Sequence, residues 1–204
     1  MIFLQQYGIN TNLAVKIYNT YGQQIYGVLK ENPYRMAEDI EGVGFKTADE
    51  IASRVGIRTD SDYRIRSGIL YTLLQAVGEG HCYLPREILL ERARELLQVP
   101  GESIHSQIDN LAMDKKLVIK KDSIYAYTYY YAELSCARML FDLSMSMGGD
   151  RAYIEKTVKG ISKELDIETD ELQLQAVMEA VRNSLFILSG GPGTGKTTTI
   201  NTMI

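Results

Sequence analysis

The chain has 204 residues, of which 45% are apolar, and its formal net charge at pH 7 is -4. That length allows one large domain or two to three small ones, and the charge excludes a global basic field of the kind that attracts nucleic acid. Any DNA contact has to come from a small module, through backbone N–H groups and a few lysines. No apolar run approaches the roughly 18 residues of a membrane span, so we expect a soluble, cytoplasmic protein without membrane contact.

A repeat opens the chain: residues 8–17 align with residues 42–51, 34 positions later. Each copy is predicted to form a helix, a tight glycine turn and a second helix. Glycine tolerates the positive φ of such a turn, and Asn10, which stands where the second copy has Gly44, is the next most tolerant residue. The N–H groups at the start of the second helix suit a phosphate oxygen.

The second copy carries a recognisable motif, because residues 40–48 read IEGVGFKTA. This stretch resembles the helix-hairpin-helix family, whose members bind the DNA backbone without reading its sequence. The resemblance implies that the turn amides of Gly42 and Gly44 hold phosphate, with Lys46 and Thr47 beside them. Gly8 and Asn10 are the weaker counterparts in the first copy. The alternative that one or both hairpins only pack helices stays open.

The middle of the chain is predicted to be a winged-helix-like segment. Before this segment, between the two copies of the hairpin repeat, we expect a helix, a break at Pro33 and a short helix. The later segments follow from apolar spacing and turn residues: helices over residues 62–79, from Pro85 to about Val99, and from a cap at Ser103 to Met113, then a two-stranded hairpin over residues 117–127. The third helix offers only Lys115 and Lys116 as cations. It is a poor DNA-groove reader, so we favour a structural or protein-contact role.

A tyrosine cluster follows the hairpin, at Tyr125, Tyr127, Tyr129, Tyr130 and Tyr131. Such rings can stack on single-stranded bases, but packing of the hairpin edge on the next helix is the favoured interpretation. Helices are then predicted over residues 131–147 and 151–165, with a break at residues 148–150. The two cysteines, at positions 82 and 136, have no ligand-like spacing and are predicted to be buried free thiols.

A phosphate-binding loop follows an apolar run at residues 185–189, which is suited to a buried parallel strand. The loop and the first helical residues after it are Gly190, Gly191, Pro192, Gly193, Thr194, Gly195, Lys196, Thr197 and Thr198. Strand, Gly-rich loop and helix together form a P-loop. Its glycines let amides curl around a phosphate. Lys196 is the point charge for the β- and γ-phosphates, and Thr197 offers its hydroxyl to Mg²⁺. The predicted cofactors are ATP and Mg²⁺.

A glutamine motif lies upstream of the loop, where residues 173–177 read QLQAV. It resembles the Q-motif of superfamily-one helicases, with Gln173 at the matching position and Gln175 as the second choice. A glutamine amide both donates to and accepts from an adenine edge, which selects ATP. The alternative is that Gln173 is an ordinary surface residue.

The whole order resembles the stand-alone RecD-type helicases, which unwind DNA 5′ to 3′ using ATP. The likeness is strongest at residues 40–52, 64–71, 80–86 and 188–199. It implies a mainly α fold: a tandem helix-hairpin-helix domain (1–60), a winged-helix-like domain with a β-hairpin (61–130), connecting helices (131–168) and the start of a P-loop α/β motor domain (169–204). DNA is the implied partner.

The sequence ends eight residues after Lys196, before the acidic motif and the second motor lobe of that family. We therefore expect a fragment that binds DNA weakly and does not hydrolyse ATP. Two other functions stay open. One is a DNA-binding repair scaffold with a vestigial P-loop, and the other is a different P-loop enzyme such as a nucleotide kinase.

Overall fold

A computed structural model describes residues 4, 7, 9–145, 153, 156–157, 160 and 171–203. The chain forms two compact units, Met1–Ala132 and Glu133–Ile204. The described elements are α1 (Thr11–Tyr21), a 3-10 turn (Gly22–Gln24), α2 (Ile25–Glu31), α3 (Arg35–Asp39), α4 (Phe45–Val55), α5 (Asp62–Gly78), β1 (Leu84–Pro85), α6 (Arg86–Leu97), α7 (Gly101–Met113), β2 (Leu117–Lys120), β3 (Ser123–Ala126), α8 (Tyr127–Ser144), α9 (Glu171–Arg182) and α10 (Lys196–Met203).

The sequence repeat is a repeat of structure. Helices α1 and α4 are each 11 residues long and begin 34 positions apart. Gly22 and Gly56 end them with positive φ values of 53° and 89°, a conformation that glycine adopts without a Cβ penalty. The predicted break at Pro33 separates α2 from α3. The mainly helical fold class, which starts with tandem hairpins, is confirmed.

One hydrophobic core joins the two copies. It contains Leu4, Ile9, Ala14, Ile17, Tyr21, Ile25, Val28, Leu29, Met36, Ile40, Val43 and Ile51. Ala14 and Ile17 lie three positions apart on α1 and are both buried, as the helical period requires. The relative position of the two hairpins is therefore set by close packing and not by surface contacts alone.

A winged arrangement follows, in which α5, α6 and α7 support a three-stranded antiparallel sheet of order β1-β3-β2. The hairpin of β2 and β3 was predicted. Strand β1 was not, because two residues carry no periodic signal, and it exists only through its pairing with β3, of Leu84 with Ile124 and of Pro85 with Ser123. A second core contains residues from α4 to β3, so Phe45, Ala48 and Ala52 pack with the winged segment.

Several predicted boundaries shift. Helix α7 begins at Gly101 after an extended Pro100, so Ser103 lies inside its first turn and is not the cap. Helix α6 begins at Arg86, and Pro85 belongs to β1. Helix α8 begins at Tyr127, directly after β3 and ahead of the predicted start at Tyr131.

The prediction that both cysteines are buried is wrong. Cys82 and Cys136 are free and exposed. Cys82 lies in the open connection before β1, and Cys136 lies on a stretch of α8 whose residues 131–145 are all exposed. The apolar neighbours in sequence therefore do not form a core around either thiol.

In the second unit, residues 185–189 form neither helix nor strand. A strand exists only through ladder hydrogen bonds to a neighbour, and no described residue pairs with this stretch. The predicted break at residues 148–150 lies outside the described residues, as does most of the helix predicted over residues 151–165.

Within the described part of the chain, none of the helices combines the length and apolar character that a membrane crossing needs.

A polar network connects the hairpin region to the winged segment. The Arg64 guanidinium on α5 binds both carboxylate oxygens of Asp49 on α4, at 2.8 and 3.1 Å. It also donates to the carbonyls of Thr59 and Leu97, at 3.0 and 2.8 Å. The Tyr34 hydroxyl donates to Asp49 at 2.6 Å. The Arg64 guanidinium thus donates hydrogen bonds to four acceptors from three parts of the fold.

Replacing Arg64 with methionine tests this network. The substitution keeps much of the side-chain volume but removes the Arg64 donors from the Asp49 carboxylate and from two carbonyls. We expect the free energy of unfolding to fall by about 2–4 kcal/mol, since the pair is largely shielded from water. Urea unfolding measures the change. Arg58→Met, which breaks the open surface pair with Asp60, is the matched control; equal losses in the two variants would contradict the assignment.

Tyr34 makes the same network sensitive to alkaline pH. Burial, and then the Asp49 carboxylate, raise the pKa of the Tyr34 phenol well above its usual value. An unfolded tyrosine ionises near pH 10, so the stability from this group is complete below pH 10 and is lost as the pH rises beyond it. We expect the advantage of the wild type over Tyr34→Phe to shrink by up to about 1.4 kcal/mol per pH unit there.

Urea unfolding of both proteins from pH 8 to pH 11 measures this difference. Tyr63→Phe, which removes a hydroxyl from a half-exposed ring, is the control for the substitution itself. Stability curves of the wild type and Tyr34→Phe that run parallel through pH 10–11 would contradict the prediction.

Candidate nucleotide and nucleic-acid sites

The predicted P-loop curls back on itself before α10. Gly193 and Gly195 have positive φ values of 77° and 72°. These values favour glycine, and they turn the backbone so that the loop closes at the first residue of the helix. A Cβ added at Gly190 would lie 2.8 Å from the Thr194 hydroxyl, so a side chain at this position would require Thr194 to move.

Lys196 reaches across this loop. Its ammonium donates to the carbonyl oxygens of Gly190 and Gly191, at 2.7 and 2.5 Å. The Thr194 hydroxyl also donates to the Gly191 carbonyl, at 2.9 Å. The positive charge is therefore held at the centre of the glycine turn, where a bound phosphate would meet it.

Thr199 anchors the start of α10, a role that the sequence reasoning missed. Its side chain is 2% exposed, its hydroxyl donates to the Gly195 carbonyl at 3.1 Å, and its amide donates to the same oxygen at 2.9 Å. The amides that precede the first helical hydrogen bond point out of a helix, towards the position of an anion. The run of three threonines gave no signal that the last one is buried.

Gln173 packs against the P-loop, although it lies 22 positions before Gly195 in the sequence. A Cβ added at Gly195 would overlap the Gln173 amide nitrogen. Gln173 is half-buried, whereas Gln175, the second choice from sequence, is exposed. Helix α9 thus presents the glutamine to the loop, in the second unit of the chain.

The residues of this loop fit a nucleotide phosphate. It combines a closed glycine turn, a central ammonium and a helix start. Thr197 is exposed, and no described residue hydrogen-bonds its hydroxyl, so it can bind a cation beside the phosphate. Pro192 and Thr198 are exposed on the rim. The described residues contain no cluster of three or more histidine, cysteine or acidic side chains, so a Mg²⁺ ion would rely on Thr197 and the nucleotide here.

The second hairpin has an open turn. Gly42 has a φ of 88°, and Gly44 is the N-cap of α4 with no side chain to cap it. The first helical hydrogen bond runs from the Ala48 amide to the Gly44 carbonyl, at 3.1 Å. Among the described residues, nothing accepts a hydrogen bond from the amides of residues 45–47. Lys46 is exposed beside them, and Thr47 is half-buried.

The first hairpin is closed by its own side chain. The Asn10 carboxamide oxygen accepts a hydrogen bond from the Leu13 amide at 2.9 Å and so caps α1. Asn10 was predicted to contact phosphate. Its side-chain oxygen instead accepts the hydrogen bond that a phosphate oxygen would accept at this turn. Gly8 lies outside the described residues.

The winged segment shows no basic recognition surface on its third helix. Lys116 is paired with Glu38 at 2.7 Å, and Arg86 is paired with Asp109 at 3.4 Å. The tyrosine rings pack on one another: the ring centroids of Tyr125 and Tyr130 are 5.3 Å apart. Those of Tyr127 and Tyr131 are 4.6 Å apart. The first pair joins β3 to α8, and the second lies within the first turn of α8, in keeping with the favoured packing interpretation.

Comparison with known proteins finds the same two regions. Residues 1–83 match the family described as the ATP-dependent RecD2 DNA helicase HHH domain, and residues 173–204 match an AAA domain. The chain is also 26% identical, over 216 aligned positions, to the ATP-dependent RecD2 DNA helicase of Deinococcus radiodurans, and the alignment covers 96% of the chain. The chain is thus similar to a RecD-type helicase over most of its length.

The chain spans 29% of the length of that RecD2 relative. The first RecD2 match runs past residue 60 and takes in α5, which also shares a core with α4. The second match begins at Gln173, the residue that packs on the P-loop. The domain boundaries and the individual site residues stay predictions.

Gly195→Ala tests the geometry of this P-loop. The added Cβ costs about 1–2 kcal/mol at a left-handed φ, and it also collides with Gln173. We expect affinity for a fluorescent ATP analogue with Mg²⁺ to fall at least about tenfold. The control is Gly101→Ala, where a Cβ meets nothing within 4 Å. Equal affinities of Gly195→Ala and the wild type would show that this turn does not govern nucleotide binding.

Proposed function

We propose that this chain is part of an ATP-driven DNA helicase that moves 5′ to 3′ in DNA repair or recombination. The observation that carries the proposal is the packing of Gln173 against Gly195. A P-loop alone serves many enzyme classes, whereas an amide beside the loop adds a group that both donates to and accepts from an adenine edge. The likeness to a RecD2 helicase supports the same function.

In this proposal the second unit binds and orients ATP. The Lys196 ammonium meets the β- and γ-phosphates, and the Thr197 hydroxyl binds Mg²⁺. Gln173 contacts the adenine. The loop from Gly190 to Gly195 supplies amides to the phosphates, with Thr198 next to Thr197 at the helix start. When bound, ATP with Mg²⁺ supplies the phosphoanhydride bond whose hydrolysis drives translocation.

The first unit is proposed to bind the DNA backbone at the second hairpin. The turn of Gly42 and Gly44 leads into three amides that no described residue uses, and Lys46 adds a positive charge beside them. Backbone contacts of this kind position a protein on DNA without reading sequence. The winged segment supports this turn through the core that it shares with α4.

The gene sequence beyond the codon for Ile204 tests the motor half of the proposal. A helicase requires an acidic motif for Mg²⁺, an arginine for the γ-phosphate and a second motor lobe. An early stop codon would instead favour a DNA-binding scaffold, and a phosphoryl-acceptor domain would favour another P-loop enzyme.

The DNA half is tested on the chain itself, by fluorescence anisotropy with a labelled duplex at several salt concentrations. We expect Lys46→Gln to weaken binding and to reduce the salt slope by about 0.9, the loss of one phosphate contact. The control is Lys30→Gln, which removes the same charge from an exposed position on α2. Binding by the wild type that does not respond to salt would rule out phosphate contacts by the hairpin.

A further inference from the structure

The two hairpins differ at the point where a phosphate would bind. In the first, the Asn10 side chain accepts the hydrogen bond of the Leu13 amide, so the start of α1 is already occupied. In the second, Gly44 has no side chain and the start of α4 stays open. Although the motif occurs twice in the sequence, the start of α1 is capped, whereas the amides at the start of α4 remain open to an anion.

Lys16 of the first hairpin lies at the turn of the second. Its ammonium donates to the Glu41 carbonyl at 3.2 Å. It also lies 3.6 Å from the position of a Cβ on Gly42. An ammonium has three donors, so one carbonyl leaves two of them for another acceptor. The positive charge of Lys16 on α1 thus lies beside the open turn of the second hairpin.

This position follows from the packing of the two copies. Ala14 and Ile17, on either side of Lys16 in sequence, are buried in the core that also contains Ile40 and Val43 of the second turn. Helix α1 cannot rotate without breaking that core, so the direction in which Lys16 leaves the helix is fixed. Lys16 itself is exposed, and no described carboxylate forms an ion pair with it.

We propose that Lys16 is a DNA-binding residue, which joins Lys46 and the turn amides after Gly44 in a single backbone-phosphate site built from both copies. The inference rests on the proposed function, since it adds a residue to the DNA contact of the second hairpin. The first copy contributes a cation, and the second contributes the open turn. Lys16 aligns with Glu50 in the repeat, so the motif itself gives no reason to choose it.

Binding of a labelled duplex of mixed sequence, measured by anisotropy between about 50 and 200 mM salt, tests the inference on the whole chain. We expect Lys16→Gln to reduce the salt slope by about 0.9, which is about a threefold change over that range. Lys16→Arg should retain the slope. Lys30→Gln, with the same loss of charge, should not change it.

The outcomes separate the two proposals. A Lys16→Gln variant that binds like Lys30→Gln, while Lys46→Gln is impaired, overturns the role of Lys16 and leaves the hairpin site standing. Unimpaired binding by both Lys16→Gln and Lys46→Gln overturns the hairpin site and this inference together. Thermal melting of each variant shows whether the fold is intact; because Lys16 and Lys46 are exposed, we expect unchanged midpoints.

Discussion

The ion pair between Arg64 and Asp49 is the contact on which the arrangement of the first unit depends. It joins α5 of the winged segment to α4 of the second hairpin, and Tyr34 fixes the same carboxylate from a third direction. Around it, apolar residues of α4 and α5 share one core. The turn that precedes α4 is therefore held on a rigid base, which is consistent with its proposed role in phosphate binding.

The repeat shows how similar backbones acquire different roles. Helices α1 and α4 match in length and in their glycine ends, yet one is capped by a side chain and the other is not. The asparagine that fills a glycine position provides an acceptor where the other copy leaves donors open. A single substitution at the turn thus separates a self-contained helix from a candidate anion site. The shared core then brings a lysine of the closed copy to the open one.

The nucleotide loop combines local and distant determinants. Its curl, its lysine contacts and the Thr199 anchor all arise within ten residues, because positive-φ glycines and a helix start suffice to form them. The contact with Gln173 needs α9 to pack beside α10. The stretch before the loop forms no strand, since a strand requires a partner that local sequence cannot provide.

Much of this protein follows from the sequence alone. The hairpin repeat, the break at Pro33, the winged order and the P-loop all depend on residue types at short spacing, where backbone sterics and helical periodicity decide the structure. Tertiary packing decided the rest. Strand β1, the exposed cysteines, the burial of Thr199 and the position of Lys16 beside Glu41 depend on which surfaces meet. Sequence spacing does not encode these outcomes, because each depends on which elements lie together once the core has formed.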